Sequence, residues 1–395
     1  MNRKSHHSLL LFSLGAFTLL LLSLAFLLFP FLKSILTVPH YVAAQELQLS
    51  RDFHASIFLN DALDSHIFSD LLIGKIQSSH ETIQAAIYSI DSQEIRDELY
   101  AAANRGIQVS LVLDYRKHSQ HAQLFLDPPE NFRIIEVNTD SSYLSQYMHH
   151  KFVVFDGEME DSTVLTGAWN WTILQEMLDP TFVLETQDPE VVSVYVEEFW
   201  RLAEGMNGTK KFGDDAYKPF ARKLLYNDCF VEIWFAPGIT KNSIKQRILD
   251  LIETSRKEIR IMVWRFTDGD IARALRRQAE KGIRITLIAD DYNVHLRDSA
   301  FRTFDHLFDH ENIDIITDAK RDISLSQGQV SSDLNSFLHH HTMIVDSELV
   351  LFGTNNWSER GAFQNDENMI VTDNDLIVQE FEKSFFYHFE ALTSN

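Results

Sequence analysis

The longest hydrophobic pattern in the chain is near its start. Residues 9–32 carry no charged side chain, and they are preceded by Arg3 and Lys4 and followed by Lys33. A helix of this length spans roughly 36 Å at about 1.5 Å per residue, which is enough to cross the hydrocarbon core of a bilayer. The pattern therefore predicts a transmembrane helix at the N-terminus.

The basic residues ahead of this helix indicate its orientation. Positive charge favours the cytoplasmic side, so everything after Lys33 is expected outside the cytoplasm. We interpret residues 1–44 as an uncleaved signal anchor and stalk, which leaves the rest of the protein membrane-anchored and extracytoplasmic. A cleaved signal peptide stays open as an alternative, because residues 42–44 are small and resemble a cleavage site.

The remainder of the chain alternates between strand-like and helix-like patterns, and it does so twice. The stretch IQAAIYSIDSQEIRDELYAAANRGIQVSLVLDY starts at Ile83, and the similar stretch IRIMVWRFTDGDIARALRRQAEKGIRITLIADDY starts at Ile259. The offset of 259 − 83 = 176 holds through both copies without a gap. Such self-similarity predicts an internal duplication.

Each copy is typical of a strand, a helix and a second strand. Asp91 in the first copy and Asp268 in the second are expected to cap the helix, and Gly106 and Gly282 are expected to end it. The flanking strands are apolar enough to be buried in a sheet covered by helices, which predicts an α/β sandwich in each half. The expected boundaries are 45–205 for the first half, 206–228 for a linker, and 229–395 for the second half.

Each half also contains a histidine motif that leads into a strand-like segment. MHHKFVVFD covers residues 148–156 and is followed by GAWNWT from Gly167, whereas LHHHTMIVD covers residues 338–346 and is followed by GTNNWS from Gly353. Alternation along a strand places His339 and His341 on one face and His340 on the other. Such a pair is too few ligands for a zinc site, and no Cys or matching His/Glu pair lies nearby in the sequence.

These paired motifs resemble those of the phospholipase D superfamily, H-x-K-x4-D followed by G-x-x-N. The resemblance covers nearly all of the chain after residue 45. It implies two α/β halves related by a pseudo-twofold axis, with a single site at their interface and no metal or cofactor. It further implies that His149 is the nucleophile, which forms a phosphohistidine, and that His339 is the general acid and base; the reverse order stays open. Phosphate-binding roles fall to Lys151, His341, Asn170 and Asn356, and supporting roles fall to Asp156, Asp346 and Glu367.

Two departures from the family pattern affect these expectations. His341 stands where the motif has lysine, and an imidazole is a shorter, pH-dependent cation. The acidic residue that follows G-x-x-N is Glu367 in the second half, but the first half has Pro180 at the position that we align with it. A degenerate relative that binds phosphate or anionic lipid without catalysis therefore stays open.

Charge and composition bear on the substrate. The formal net charge is −22, which disfavours general binding of nucleic acid. The segment from Lys210 to Arg284, however, contains 17 Lys and Arg residues and only 10 Asp and Glu residues. An exported nuclease of the same superfamily therefore stays open. A single cysteine, Cys229, excludes an intrachain disulfide framework. We expect a metal-independent phosphodiesterase that hydrolyses membrane phospholipid or transfers its phosphatidyl group, and a monomer because both half-sites lie in one chain.

Overall fold

The computed structural model describes residues 45–48, 53–61, 66–138, 146–213, 221–227, 229–238, 243–291, 294, 303–318 and 338–394. The transmembrane helix and cleavage site expected within residues 1–44 lie outside this part of the chain. None of the helices within it is long and apolar enough to cross a membrane.

The strands of the described residues form two eight-stranded sheets. The first sheet contains β1 Gln45–Gln48, β2 His54–Leu59, β3 Thr82–Ile87, β4 Gln108–Asp114, β5 Phe132–Val137, β6 Lys151–Phe155, β7 Thr163–Gly167 and β8 Phe182–Thr186. The second contains β9 Ala221–Leu225, β10 Phe230–Ala236, β11 Glu258–Val263, β12 Arg284–Ala289, β13 Ile313–Thr317, β14 His341–Val345, β15 Leu349–Gly353 and β16 Glu367–Thr372.

The two sheets have the same topology. The strand order is β1-β2-β8-β7-β6-β3-β4-β5 in the first sheet and β9-β10-β16-β15-β14-β11-β12-β13, read from the opposite edge, in the second. In each sheet three consecutive strands are parallel, β3-β4-β5 and β11-β12-β13, and the other neighbours are antiparallel. This identity confirms the duplicated α/β fold that the sequence repeat predicts.

Helices cover the sheets, and each of them except α3 has a counterpart in the other half among the described residues. They are α1 Ile67–Ser78, α2 Gln93–Asn104, α3 Tyr115–Gln120, α4 Ile173–Leu178, α5 Pro189–Ala203, α6 Ile244–Thr254, α7 Gly269–Glu280, α8 Glu359–Phe363 and α9 Asp375–Thr393. Asp268 caps α7 as expected. The prediction that Asp91 caps α2 is wrong, because Ser92 holds that position and accepts a hydrogen bond from Ile95 N at 3.3 Å. Asp91 accepts one from Ile173 N at 2.9 Å instead, which ties the start of α4 to the segment before α2.

The two halves share a hydrophobic core. One cluster of buried residues combines Phe152 of β6 and Phe182 of β8 with Phe352 of β15 and Phe381 of α9. Within it Phe182 lies 5.7 Å from Phe352 and 5.2 Å from Phe381, measured between ring centroids. Through this shared core, β6–β8 of the first sheet pack against β14–β16 of the second. The strands β6 and β14 begin within the two histidine motifs.

The stretch 206–228, where the sequence analysis expects a linker, contains ordered contacts to both halves. Strand β9 pairs with β10 at the edge of the second sheet. A 3-10 helix over Gly208–Gly213 places the fully buried ammonium of Lys211 2.5 Å from Glu198 of α5 and 2.7 Å from Asp366, which precedes β16. Lys211 therefore ion-pairs with a carboxylate from each half.

Candidate active site

The two histidine motifs meet at the interface between the halves. His149 lies just before β6, and its backbone N–H donates to the carbonyl of Asp366 in the second half at 2.9 Å. In the mirrored arrangement, the N–H of His339 donates to the carbonyl of Pro180 in the first half, also at 2.9 Å. Each histidine is thus positioned by the main chain of the opposite half, in the segment that precedes β16 or β8.

Side chains from both halves line one cavity of about 610 Å³. His149, His339, Asn170 and Asn356 are all part of its wall. Both asparagines are largely buried, and the Oδ1 atom of each has no hydrogen-bond partner among the described residues. The structure therefore brings both histidines and both asparagines of the two motifs to one place.

Lys151 and His341 follow the two cavity-lining histidines by two residues, and neither belongs to the cavity wall among the described residues. The ammonium of Lys151 donates to the carbonyl of His149 at 2.8 Å. The imidazole of His341 is buried 5.3 Å from that of His339, and neither of its ring nitrogens has a hydrogen-bond partner in the described structure. The two motifs thus present different groups at equivalent positions, a primary amine and an imidazole.

A carboxylate from the second half orients the histidine of the first. Glu367 is fully buried, and its Oε2 atom lies 2.7 Å from Nδ1 of His149. Thr354 Oγ1 donates to the same oxygen at 2.8 Å, and Asn365 Nδ2 donates to Oε1 at 3.0 Å. When Glu367 is ionised, Nδ1 of His149 carries the proton that its carboxylate accepts, and the lone pair of the neutral imidazole is then on Nε2.

The alignment of Pro180 with Glu367 is wrong by one residue. Gly167 pairs with Val183 in the first sheet and Gly353 pairs with Met369 in the second, so the constant offset here is 186. This register matches Glu367 with Thr181. Thr181 is buried and its hydroxyl has no hydrogen-bond partner in the described part of the chain, where no carboxylate ion-pairs with His339 either.

Burial drives the ionisable groups of the site towards their uncharged forms. Loss of hydration lowers the pKa of His149, His339 and His341 well below the ordinary value, and the neighbouring Lys151 ammonium contributes to each shift. Burial also lowers the pKa of Lys151 to about 7, against the attraction of the Glu367 carboxylate. It raises the pKa of Glu367 to about 8, against the attraction of Lys151. A bound phosphate anion would raise the pKa of Lys151 and of the imidazoles, so a substrate restores the positive charge that the free site suppresses.

Asp156 and Asp346 end β6 and β14 and hold neighbouring strands. The carboxylate of Asp156 accepts from the backbone N–H groups of residues 80–82 at 2.7–2.9 Å, where β3 begins. Asp346 accepts from residues 256–258 at 2.7–3.1 Å, where β11 begins. Both adopt positive φ angles, 51° and 57°. These contacts fix β6 and β14 against the centre of each sheet.

The middle histidines of the motifs point away from the cavity into buried polar groups. His150 Nε2 lies 3.1 Å from Glu198. His340 lies near Asp61 and His388, and the potential metal-ligand atoms of these three are all within 4.8 Å of one another. Asp61 Oδ1 accepts hydrogen bonds from His388 at 2.8 Å and from Ser384 at 2.7 Å, so the group is a hydrogen-bonded network in this structure.

Sequence reasoning missed several residues of the cavity. Tyr88 packs against His149 with ring centroids 4.6 Å apart, and Trp264 stacks on His339 at 5.2 Å. Both were within reach of the sequence, because 264 − 88 = 176 is the offset of the repeat. Lys117 and Arg265 also line the cavity, but they have no cationic counterpart in the other copy and so gave no repeat signal.

Comparison with known proteins agrees with this arrangement. A family model described as cardiolipin synthase, PLD-like domain, matches residues 72–203 and 248–388. The mitochondrial cardiolipin hydrolase of Xenopus laevis is 29% identical over 137 residues, which are 35% of this chain and 61% of that protein. The human mitochondrial cardiolipin hydrolase is 26% identical over 168 residues, 42% of this chain and 61% of that protein. The chain thus spans about 61% of the length of these relatives.

Solved structures show the same fold over a larger part of the chain. The crystal structure of phosphatidylserine synthase from Haemophilus influenzae Rd KW20 covers 87% of both chains with a TM-score of 0.61 and 16% identity. Polyphosphate kinase from Porphyromonas gingivalis covers 83% of this chain and 49% of its own, with a TM-score of 0.54 and 14% identity. Since the family model matches well over half of the residues, and in both halves, the chain belongs to the phospholipase D superfamily.

Proposed function

We propose that this protein is a phosphodiesterase of phospholipase D type that acts on membrane phospholipid. The observation that carries the proposal is the shared cavity: His149 and His339 come from duplicated motifs in different halves, yet both line it together with Asn170 and Asn356. Two imidazoles and several hydrogen-bond donors around one site suit the attack on a negatively charged phosphodiester.

In the first step Nε2 of His149 attacks phosphorus and the bond to the leaving alkoxide breaks. His339 gives a proton to that alkoxide, and a phosphohistidine remains on His149. Glu367 stabilises the positive charge that develops on the His149 ring, because its carboxylate lies 2.7 Å from Nδ1. The two asparagines, which line the cavity, hold the phosphoryl oxygens that do not react, and the charge of Lys151, two residues after His149, attracts the phosphate.

In the second step His339 takes a proton from water or from an acceptor alcohol. The resulting nucleophile attacks phosphorus, the bond between phosphorus and Nε2 breaks, and His149 is regenerated. Water yields hydrolysis and an alcohol yields phosphatidyl transfer. The chain's own side chains supply the nucleophile, the acid, the base and the phosphate contacts, so we expect turnover to persist in EDTA.

Three observations favour a lipid over nucleic acid. The chain is strongly acidic, with a formal net charge of −22. Its relatives include proteins named as cardiolipin hydrolases, and one solved structure of the same fold is a phosphatidylserine synthase. Residues 9–32 have the length and apolar character of a membrane anchor, which would hold the site against its substrate. We propose accordingly a membrane-anchored monomer with the site outside the cytoplasm.

The test uses the purified full chain in detergent with EDTA present. It is offered fluorescent phosphatidylglycerol, phosphatidylcholine, cardiolipin and single-stranded DNA in parallel, with His149→Ala as the inactive control. We expect release of a head group or of phosphatidic acid from at least one lipid, and none from the control. Cleavage of DNA alone would replace the lipid proposal with the nuclease. Binding of anionic lipid without turnover of any diester would identify a degenerate relative.

A further inference from the structure

The residues that follow the two G-x-x-N segments differ in chemistry between the halves. In the first half α4 begins with Ile173 and Leu174, and in the second half α8 begins with Glu359 and Arg360. The offset of 359 − 173 = 186 is the one that relates the two asparagines of the motif, so these pairs occupy equivalent positions. We call them the α4 rim (Ile173 and Leu174) and the α8 rim (Glu359 and Arg360).

The α8 rim belongs to the wall of the active-site cavity. The α4 rim is not part of that wall, but it follows Asn170, which is, by three and four residues. Ile173 is 52% exposed and Leu174 is 49% exposed. The segment after Asn170 is therefore apolar and exposed, whereas the equivalent segment after Asn356 is charged, although both descend from one repeated element.

The α4 rim is held firmly with respect to the catalytic groups. The side chain of Gln175 accepts a hydrogen bond from the backbone N–H of Asn170, and the carboxylate of Asp91 accepts one from that of Ile173 at 2.9 Å. Leu178 at the end of α4 is buried. The exposed position of the two aliphatic side chains is thus imposed by contacts on either side of them.

A second cavity of about 270 Å³ lies on the other side of the same segment. Asn170 lines the active-site cavity, whereas its neighbours Trp169 and Trp171 line this second one. Ile173 is shared between the exposed rim and the wall of the second cavity. Its remaining apolar lining is formed by Ile95 and Met177, and polar side chains, among them Ser69 and Glu176, also line it.

A diacyl phospholipid has the same division as the two rims, with hydrocarbon on one side of its phosphodiester and polar groups on the other. We propose that the α4 rim and the second cavity receive the acyl-chain side of the lipid, while the α8 rim receives its head group. This assignment rests on the proposed function for the identity of the central phosphodiester. It gives the bound lipid one orientation, with the acylated glycerol towards the first half of the chain and the head-group alcohol towards the second.

Equilibrium binding tests the orientation independently of turnover. The full chain carrying His339→Ala, which processes neither ligand, is titrated by calorimetry with dihexanoylphosphatidylglycerol below its critical micelle concentration and with glycerophosphoglycerol, its deacylated form. Because burial of methylene groups is favourable, we expect the acylated ligand to bind at least about tenfold more tightly. Adding Ile173→Glu with Leu174→Arg, which copies the α8 rim, should abolish this advantage and leave binding of the deacylated ligand unchanged.

Leu225→Glu is the matched control. Leu225 is 77% exposed on β9, an edge strand four positions from β14 in the sheet order, so its replacement also removes an exposed aliphatic side chain but should preserve the advantage. The inference is overturned if the parent protein shows no acyl-chain advantage, if the rim variant keeps it, or if the control loses it. Turnover is measured separately with both histidines present. Absence of lipid cleavage would refute the proposed function. The binding comparison would still decide whether the α4 rim contacts the acyl chains.

Discussion

His149 and His339 occupy equivalent positions in a duplicated fold, but their surroundings have diverged. Two residues after His149 is Lys151, and the imidazole of His149 is paired with the buried carboxylate of Glu367. Two residues after His339 is another histidine, His341, and the first-half position that matches Glu367 holds Thr181. The first motif therefore supplies the cation, and the second half supplies the carboxylate that the first motif uses.

This difference indicates a division of labour between the two imidazoles. A carboxylate at Nδ1 stabilises positive charge on the ring, which suits the histidine that bonds to phosphorus. An imidazole without such a partner, and with a pKa that burial lowers well below its ordinary value, releases a proton readily once it is charged, which suits an acid. We therefore propose that the nucleophile lies in the half with the complete motif.

The largest expected effect is the loss of either imidazole. His149→Ala and His339→Ala should each lower kcat by at least about 10³-fold, because the two groups act in sequence and neither replaces the other. Steady-state assays on a fluorescent lipid measure this. His80→Ala, which removes an exposed imidazole outside the site, serves as the control and should leave kcat unchanged. Retention of a tenth of the activity by either alanine variant would contradict the composite site.

The next effect separates Glu367 from its structural counterpart. Glu367→Gln keeps the shape but removes the negative charge, so kcat should fall by about 10²-fold or more. Thr181→Val at the equivalent position should change kcat by less than about threefold, because no catalytic group depends on that hydroxyl in our scheme. Kinetics and thermal melts of both variants, measured side by side, check this. Equal losses would show that the two histidines are supported alike.

The pH profile tests the divergence between Lys151 and His341. As pH rises through about 7, Lys151 in the free protein loses its proton and its attraction for phosphate. As pH falls through about 8, the Glu367 carboxyl takes up a proton, so His149 loses the negative charge that supports its Nδ1 atom. The two apparent pKa values belong to the coupled group, so kcat/KM should show a narrow optimum near pH 7–8. A broad plateau from pH 5 to 9 would contradict this account.

Lys151→Arg sharpens the same experiment. A guanidinium stays charged throughout this range, so the alkaline limb of kcat/KM should move to higher pH even where the absolute rate is lower. His341→Lys is the matched variant in the other half, and it should not move the acid limb, since that limb belongs to the Glu367–His149 pair.

The smallest expected effect concerns Asp156 and Asp346, which make the same contacts in the two halves. Asp156 and Asp346 each accept bonds from three consecutive backbone N–H groups at the start of a neighbouring strand. Asp156→Asn and Asp346→Asn should each lower the free energy of unfolding by about 1–3 kcal/mol, and the losses should add, because the sites share no partner. Urea unfolding monitored by circular dichroism measures both. A loss confined to one variant would show that the aspartates are not equivalent.

The fold followed from the sequence because duplication doubled each local signal. Each half contains one copy of the strand–helix–strand repeat, one glycine that ends its helix (α2 or α7) and one histidine motif. Each copy therefore supported the interpretation of the other. Tertiary contacts had no such support. The pairing of Glu367 with His149 joins residues from different halves, and the one-residue error at Pro180 arose because the strand register there depends on the partner strand β7.

Local composition also led to one wrong prediction, the Asp91 cap, and gave no sign of one buried residue, Lys211. Ser92 caps α2 although Asp91 and Glu94 have the spacing of a capping box, because Asp91 is engaged by the start of α4. Lys211 lies in a polar stretch that is typical of a solvated linker, yet it is fully buried between two carboxylates. Neither contact has a pattern in the sequence that distinguishes it from an exposed one.

In the proposed mechanism His149, supported by Glu367, bonds to phosphorus while His339 donates and accepts protons. The His339→Ala variant tests it most directly with bis(p-nitrophenyl) phosphate, whose leaving group needs no general acid, so the first step proceeds and the second is blocked. Intact-mass spectrometry followed by peptide mapping should find a p-nitrophenyl phosphoryl adduct on His149, and none in the variant that also carries His149→Ala. An adduct on another residue, or a covalent intermediate on His339 in the His149→Ala protein, would contradict the account.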